Sequence, residues 1–241
     1  MSEDGRFLFL LSHYNDSGHA ARTQGISVSE FIKGNWTRPQ NIVIPYFRNK
    51  SQTVSGYVAN NSIFIFSADT YGTHGVEDIY ISVRNEGGKW SEPKNLGSNI
   101  NTPFQELSPS LSMDGKTLYF SSNGRQGLGS FDVYAADRLD DTWLYWSAPV
   151  NLGPAINSEG RELFYKEMDD RGTAFYTTTL NSDGYGDIKL SMENAEEEIM
   201  QPDQHAMVSM TGTPLVAEGG LSREPGNTNA FLIYGKVINA R

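Results

Sequence analysis

Short apolar runs separated by polar, glycine-rich segments dominate the first 190 residues. Ile63-Phe64-Ile65-Phe66-Ser67, Leu118-Tyr119-Phe120-Ser121-Ser122 and Ala174-Phe175-Tyr176-Thr177-Thr178 are three such runs, each ending in hydroxyl residues. Phe7 to Ser12 is a fourth member of the set. Each run has the length of a strand, and its apolar positions are nearly continuous rather than alternating. That pattern predicts β-strands buried on both faces.

The runs belong to a longer period. Trp36-Thr37-Arg38-Pro39-Gln40-Asn41-Ile42 recurs as Trp90-Ser91-Glu92-Pro93-Lys94-Asn95-Leu96 and as Trp146-Ser147-Ala148-Pro149-Val150-Asn151-Leu152, at offsets of 54 and 56 residues. An aspartate followed by an aliphatic residue keeps the same step at Asp78-Ile79-Tyr80, Asp132-Val133-Tyr134 and Asp187-Ile188-Lys189. The repeated positions are therefore Trp36, Pro39, Asn41, Trp90, Pro93, Asn95, Trp146, Pro149 and Asn151, with Asp78, Asp132 and Asp187. A fixed period of this length is the signature of a modular array.

One full unit runs from Glu106 to Leu152: strand, Asp114-Gly115 turn, strand, glycine-rich loop 123–130, strand at Phe131 to Ala135, then the tryptophan strand. Four strands of this kind make one blade of a β-propeller. The Asp-Gly pair predicts a two-residue hairpin with positive backbone angles. Each tryptophan is expected near a blade's outer edge, over the neighbouring blade, and the proline three residues later caps a strand whose amide needs no partner.

These residues resemble the WD40-like, TolB-type propeller repeats common in OmpA-like envelope proteins of Bacteroidetes-type bacteria. The resemblance covers about residues 4–190. It is carried by Glu106-Leu107-Ser108-Pro109-Ser110-Leu111-Ser112, by Asp114 to Ser122, and by Gly129, Asp132-Val133-Tyr134 and the Trp146/Pro149/Asn151 set. The first unit departs from it, with Gly25-Ile26-Ser27 where Asp-x-Tyr is expected.

The expected fold is an all-β propeller, complete or partial, of about four blades of four antiparallel strands. The blades are placed at residues 1–35, 36–89, 90–145 and 146–192. The chain is read as entering mid-repeat, so four units either close as a small ring or form a fragment of a larger propeller. Residues 193–228, with Ala195-Glu196-Glu197-Glu198, read as an acidic linker or one short helix. Residues 229–241 read as a terminal strand. It either closes the ring on the first blade or opens a truncated carboxypeptidase-regulatory-like domain.

Composition agrees with this picture. Twelve Tyr, 12 Phe, 4 Trp and 24 Gly favour short aromatic strands and tight turns over long helices. A formal net charge of −10 opposes nucleic acid and anionic membrane surfaces as partners. The absence of cysteine removes disulfides, thiolate metal sites and cysteine nucleophiles. No signal-peptide core or membrane-spanning segment is expected, since the run Phe7 to Leu11 is too short for either.

Asn181, Asp183 and Asp187 resemble the start of a calcium loop but lack its bidentate glutamate. His13, His19, His74 and His205 show no metal spacing. Glu106 and Glu162 occupy equivalent positions, which suits a repeated structural hydrogen bond better than a catalytic pair. There is no Gly-x-Ser-x-Gly elbow and no complete sialidase-type Asp box.

The expectation is a non-catalytic binding module with no cofactor and no catalytic residues. The resemblance implies a place in the periplasm or at the outer membrane, with protein or glycan partners. Tyr71, Arg125 and Tyr185, in the glycine-rich loops, are the contact candidates. The alternative is a carbohydrate-active enzyme using a central propeller cleft.

Overall fold

The run Ile63–Ala68 illustrates how this sequence becomes structure. It is a strand flanked on both sides by antiparallel partners, and all six residues are buried. Phe64, Phe66 and Ala68 pack into one core, while Ile63 and Ile65 pack into another. The continuous apolar run follows from the two-residue side-chain period of a strand that has a core on each face.

The computed structural model describes residues 1–2, 4–21, 23–168, 172–191 and 231–232. Among these residues there are sixteen strands and no helix. They form four antiparallel sheets of four strands. The first holds β1 (Phe7–Leu10), β2 (Ser27–Ile32), β3 (Asn35–Trp36) and β4 (Gln40–Asn41). The second holds β5 (Ser55–Ala59), β6 (Ile63–Ala68), β7 (Asp78–Val83) and β8 (Lys94–Asn95). The third holds β9 (Glu106–Leu111), β10 (Thr117–Ser122), β11 (Asp132–Asp137) and β12 (Val150–Asn151). The fourth holds β13 (Glu162–Glu167), β14 (Ala174–Thr178), β15 (Asp187–Ser191) and β16 (Phe231–Leu232).

The sheets are cut differently from the sequence division. Each tryptophan stretch leads into the last strand of the sheet before it: β8 pairs with β7, and β12 with β11. It does not open the following sheet. Two residues of the terminal strand are described, and they pair with β15 rather than with β1. The 193–228 segment and His205 lie outside the described residues.

Consecutive sheets stack face to face. β9 lies across β5, β6 and β7, and β13 lies across β9, β10 and β11. One core joins Ile63, Ile65, Ile79 and Ile81 to Leu111, Leu118, Phe120 and Trp146. A second gathers Ile26, Ile44, Phe64, Phe66 and Trp90, and a third Val133, Ile156 and Tyr176. Trp90 and Trp146 are buried, each in the core shared with the preceding sheet. Trp36 is 41% exposed and packs against the Phe31 ring instead, because no sheet precedes its own among the described residues. For the same reason β1 is only half-buried along its whole length.

The Asp114-Gly115 turn also differs from expectation. Only Gly115 has a positive φ, of 69°, and residues 112–116 all lie between the paired strands. Asp114 Oδ1 instead accepts hydrogen bonds from the Ser112 hydroxyl and the Lys116 amide. This matches a longer hairpin with one left-handed glycine. The double left-handed turn occurs between β5 and β6, where Asn60 and Asn61 have φ of 47° and 53°. Ser108 and Phe164, at φ 53° and 58°, lie where the registers of β9 and β13 shift, so the two sheets share a bulge.

Candidate binding surface at the loop end

The glycine-rich loops between the second and third strands of the sheets are held by a repeated latch. Asp78 accepts hydrogen bonds from the amides of His74 and Gly75, at 2.8 and 3.3 Å. Asp132 does the same for Leu128 and Gly129, at 2.5 and 3.1 Å. Both aspartates are buried, so the bonds replace the water these carboxylates have lost. The third partner of each carboxylate is the repeated asparagine, Asn95 for Asp78 and Asn151 for Asp132.

A further asparagine completes each latch. Asn101 Oδ1 accepts from the Ile79 amide at 2.7 Å, and its Nδ2 donates to the Ile79 carbonyl at 3.1 Å. Asn157 repeats both bonds on Val133, at 2.7 and 3.0 Å. The Asp-aliphatic pair and the Asn motif therefore recur together because they bind each other. Close packing restricts the loops further. A Cβ on Gly127 would stand 1.5 Å from Asp132 Oδ2.

Among the described residues, the first and last units lack the full latch. Gly25 stands at the aspartate position, and the His13 imidazole lies in the vacated space, its Nε2 2.2 Å from where a Cβ would be. Asn41 then bonds both backbone groups of Tyr14, at 2.8 and 2.9 Å. Asp187, half-buried, has no asparagine partner of this kind among the described residues.

Glu106 and Glu162 are each fully buried at the start of an equivalent strand. Glu106 accepts from the Thr102 amide and hydroxyl and from the Ser122 hydroxyl, at 2.9, 2.7 and 2.8 Å. Glu162 accepts from the Ser158 amide and hydroxyl and the Thr178 hydroxyl, at 3.0, 2.5 and 2.5 Å. Burial pushes the Glu106 carboxyl above its ordinary range, and these hydrogen bonds act in the opposite direction. Both carboxylates are committed to joining a crossover segment to a central strand.

The loops and crossovers form one continuous end of the stack. Loop 69–77 meets the next crossover through the Val76 amide and the Phe104 carbonyl, 2.9 Å apart. Phe104 in turn lies against Gly124 of loop 123–131. That loop meets the following crossover through the Ser130 amide and the Gly160 carbonyl, and Gly160 lies against Leu180.

The three contact candidates fall on successive loops of this end, with different surroundings. Tyr71 is 98% exposed and Tyr185 69% exposed. Arg125 turns inward, donating to the carbonyls of Asn99 and Ile100 at 2.7 and 2.9 Å. Its guanidinium stands 5.8 Å from the Phe120 ring centre and 5.9 Å from that of Tyr134. Burial lowers its pKa, and the Glu106 carboxylate pulls it back up. Sequence reasoning did not single out Val76, Phe104 and Leu128, which are also exposed here, Phe104 by 56%. Their signal was available: each is a large apolar residue outside any strand, in a segment rich in glycine, proline or polar residues.

Asn181, Asp183 and Asp187 lie on or beside the last loop. No group of three or more His, Cys, Asp or Glu placed to hold a metal ion occurs among the described residues. His74 is exposed, and His13 contacts the Thr23 hydroxyl through Nδ1 at 3.1 Å. No helix among the described residues is long and apolar enough to cross a membrane. Scanned against protein-family models the sequence matches none, and a search of curated proteins returns no match.

Proposed function

We propose that this chain is a non-catalytic binding module: an array of WD40-like, TolB-type propeller blades that docks a protein or glycan in a bacterial cell envelope. The four stacked four-stranded sheets and the period of the Asp and Trp-x-x-Pro-x-Asn motifs support the propeller reading. In this reading the module works in the periplasm or at the outer membrane, as the resemblance implies.

One observation carries the binding assignment. Tyr71, Val76, Phe104, Leu128 and Tyr185 are large apolar residues held exposed on one end of the stack. Two of the three loops beneath them are pinned by buried Asp–Asn latches. Aromatic groups on a pre-ordered frame suit recognition, because little conformational freedom is lost when they bind.

The test is a glycan array, with reducing-end release assayed on each glycan retained. Retention without release, lost in Tyr71→Ala/Phe104→Ala, is the expected result for glycan docking. Release of reducing ends would overturn the non-catalytic assignment in favour of a carbohydrate-active enzyme. With no glycan retained, cross-linking from a photoreactive residue at position 128 in envelope extracts should yield one partner protein, and adding Tyr71→Ala/Phe104→Ala should abolish it.

A further inference from the structure

The hairpins that end the third strands of the second and third sheets begin and end alike. Arg84 bridges Trp90, and Arg138 bridges Trp146. The next pair in is also equivalent: the Asn85 amide bonds the Lys89 carbonyl, and the Leu139 amide bonds the Tyr145 carbonyl. Between these pairs the second sheet has only Glu86-Gly87-Gly88, whereas the third has Asp140-Asp141-Thr142-Trp143-Leu144.

The two extra residues change the packing beneath. In the third sheet, Trp143 and Leu144 pack onto the core shared with the second sheet. The Arg138 guanidinium lies 4.2 Å from the Trp143 ring centre, and the ring edge reaches the Gly115 turn. In the second sheet the corresponding place holds a cavity of about 590 Å³, between that sheet and the first. Phe7, Phe9, Val28, Ile42 and Trp90 supply apolar walls. Arg84 and Lys89 stand at its hairpin edge, and neither forms an ion pair among the described residues.

One residue lining the cavity carries an unpaired acceptor. Asn61 lines it at the turn position equivalent to Gly115, and its Oδ1 is buried without a hydrogen-bond partner. A buried carbonyl oxygen left without a donor is costly, and a ligand that supplies one gains accordingly.

We propose that this cavity binds a small indole-type carboxylate. The aromatic ring lies where the Trp143 indole lies in the neighbouring interface, between the Arg84 guanidinium and the apolar walls. Rotation of the Asn61 side chain brings its Oδ1, closed to the cavity as it stands, to the ring N–H, and the carboxylate meets Arg84 and Lys89. The cavity is within the size range of small-molecule sites, and its chemistry is apolar except at these points. This site is separate from the loop-end surface and does not depend on the binding function proposed there.

Isothermal titration of the full chain with indole-3-acetate tests the proposal, with saturation-transfer NMR to identify the bound protons. One-to-one binding is expected. 1-Naphthaleneacetate, which lacks the N–H, should bind about tenfold more weakly, as loss of one buried polar contact implies, and indole, which lacks the carboxylate, severalfold more weakly, because Arg84 and Lys89 are exposed. Arg84→Met should weaken indole-3-acetate by a similar factor. Asn61→Leu should remove the preference for indole over naphthalene. Replacing residues 85–89 with the sequence of residues 139–145 should fill the cavity, abolish binding and leave the thermal midpoint unchanged or raised. The exposed Arg84 and the turn residue Asn61 keep the test decisive if that exchange disturbs folding. Absence of saturation at millimolar ligand, or affinity insensitive to both point substitutions, would overturn the proposal.

Discussion

Asn95 Nδ2 donates a 2.7 Å hydrogen bond to Asp78 Oδ2, and Asn151 makes the equivalent bond to Asp132 at 3.1 Å. The pair ties the last strand of a sheet to the root of the loop that carries the exposed apolar residues. It thus connects the repeat motif to the surface proposed to bind.

Removing the aspartate should cost more than removing the asparagine. Asp132→Ala removes a buried charged acceptor and strands the amides of Leu128 and Gly129 with Asn151 Nδ2, whereas Asn151→Ala leaves both loop amides paired and strands the Gly153 amide and Asn157 Nδ2, which bond its Oδ1. The expected losses are about 2–4 kcal/mol and about 1–2 kcal/mol, with the double variant less destabilised than their sum. Urea denaturation measures all three. A double variant as destabilised as the sum of the two single variants would contradict the latch.

Glu106 makes stability depend on pH in a definite direction. Burial, its largest influence, raises the folded carboxyl above the ordinary 4.5. Between those two values the folded protein holds a proton that the unfolded chain has released. The contribution is therefore full below pH 4.5 and is lost as pH rises through the folded value. Glu106→Gln cannot titrate, so its stability relative to the parent should improve as pH rises from 4.5. Denaturant midpoints across that range would show this, and a constant difference between the two proteins would exclude it.

Two glycines separate close contact from backbone strain. A Cβ on Gly129 would lie 2.3 Å from the Gly160 carbonyl oxygen and 2.4 Å from that of Ser158. Gly153 has open space around it but a φ of 71°. Gly129→Ala should cost about 1–3 kcal/mol through overpacking against fixed backbone, and Gly153→Ala about 1 kcal/mol through its left-handed conformation. Amide exchange should also quicken around Gly160 in the first variant alone. Unchanged exchange there would mean that the two loops are not coupled as the structure implies.

Much of the fold was legible from spacing. The apolar runs at Ile63, Leu118 and Ala174 became β6, β10 and β14, and the aspartates at 78, 132 and 187 each open the next strand. These features are local, since strand pairing and two-sided burial leave their mark on neighbouring residues. The division of the sheets was less legible. A period shows that Trp36, Trp90 and Trp146 are equivalent, but it gives no information on which neighbour each pairs with.

By itself, the sequence determined a modular all-β chain, the identity of its repeated residues and the places where modules depart from one another, such as Gly25. Tertiary structure alone decided that Asp78 and Asp132 meet the asparagines, that Arg125 turns inward while Phe104 stays out, and that a shorter hairpin leaves a cavity beside Asn61. The physical reason is that pairing and burial leave a period along the chain, whereas contacts between stacked sheets depend on side chains far apart in sequence, with no spacing rule to announce them.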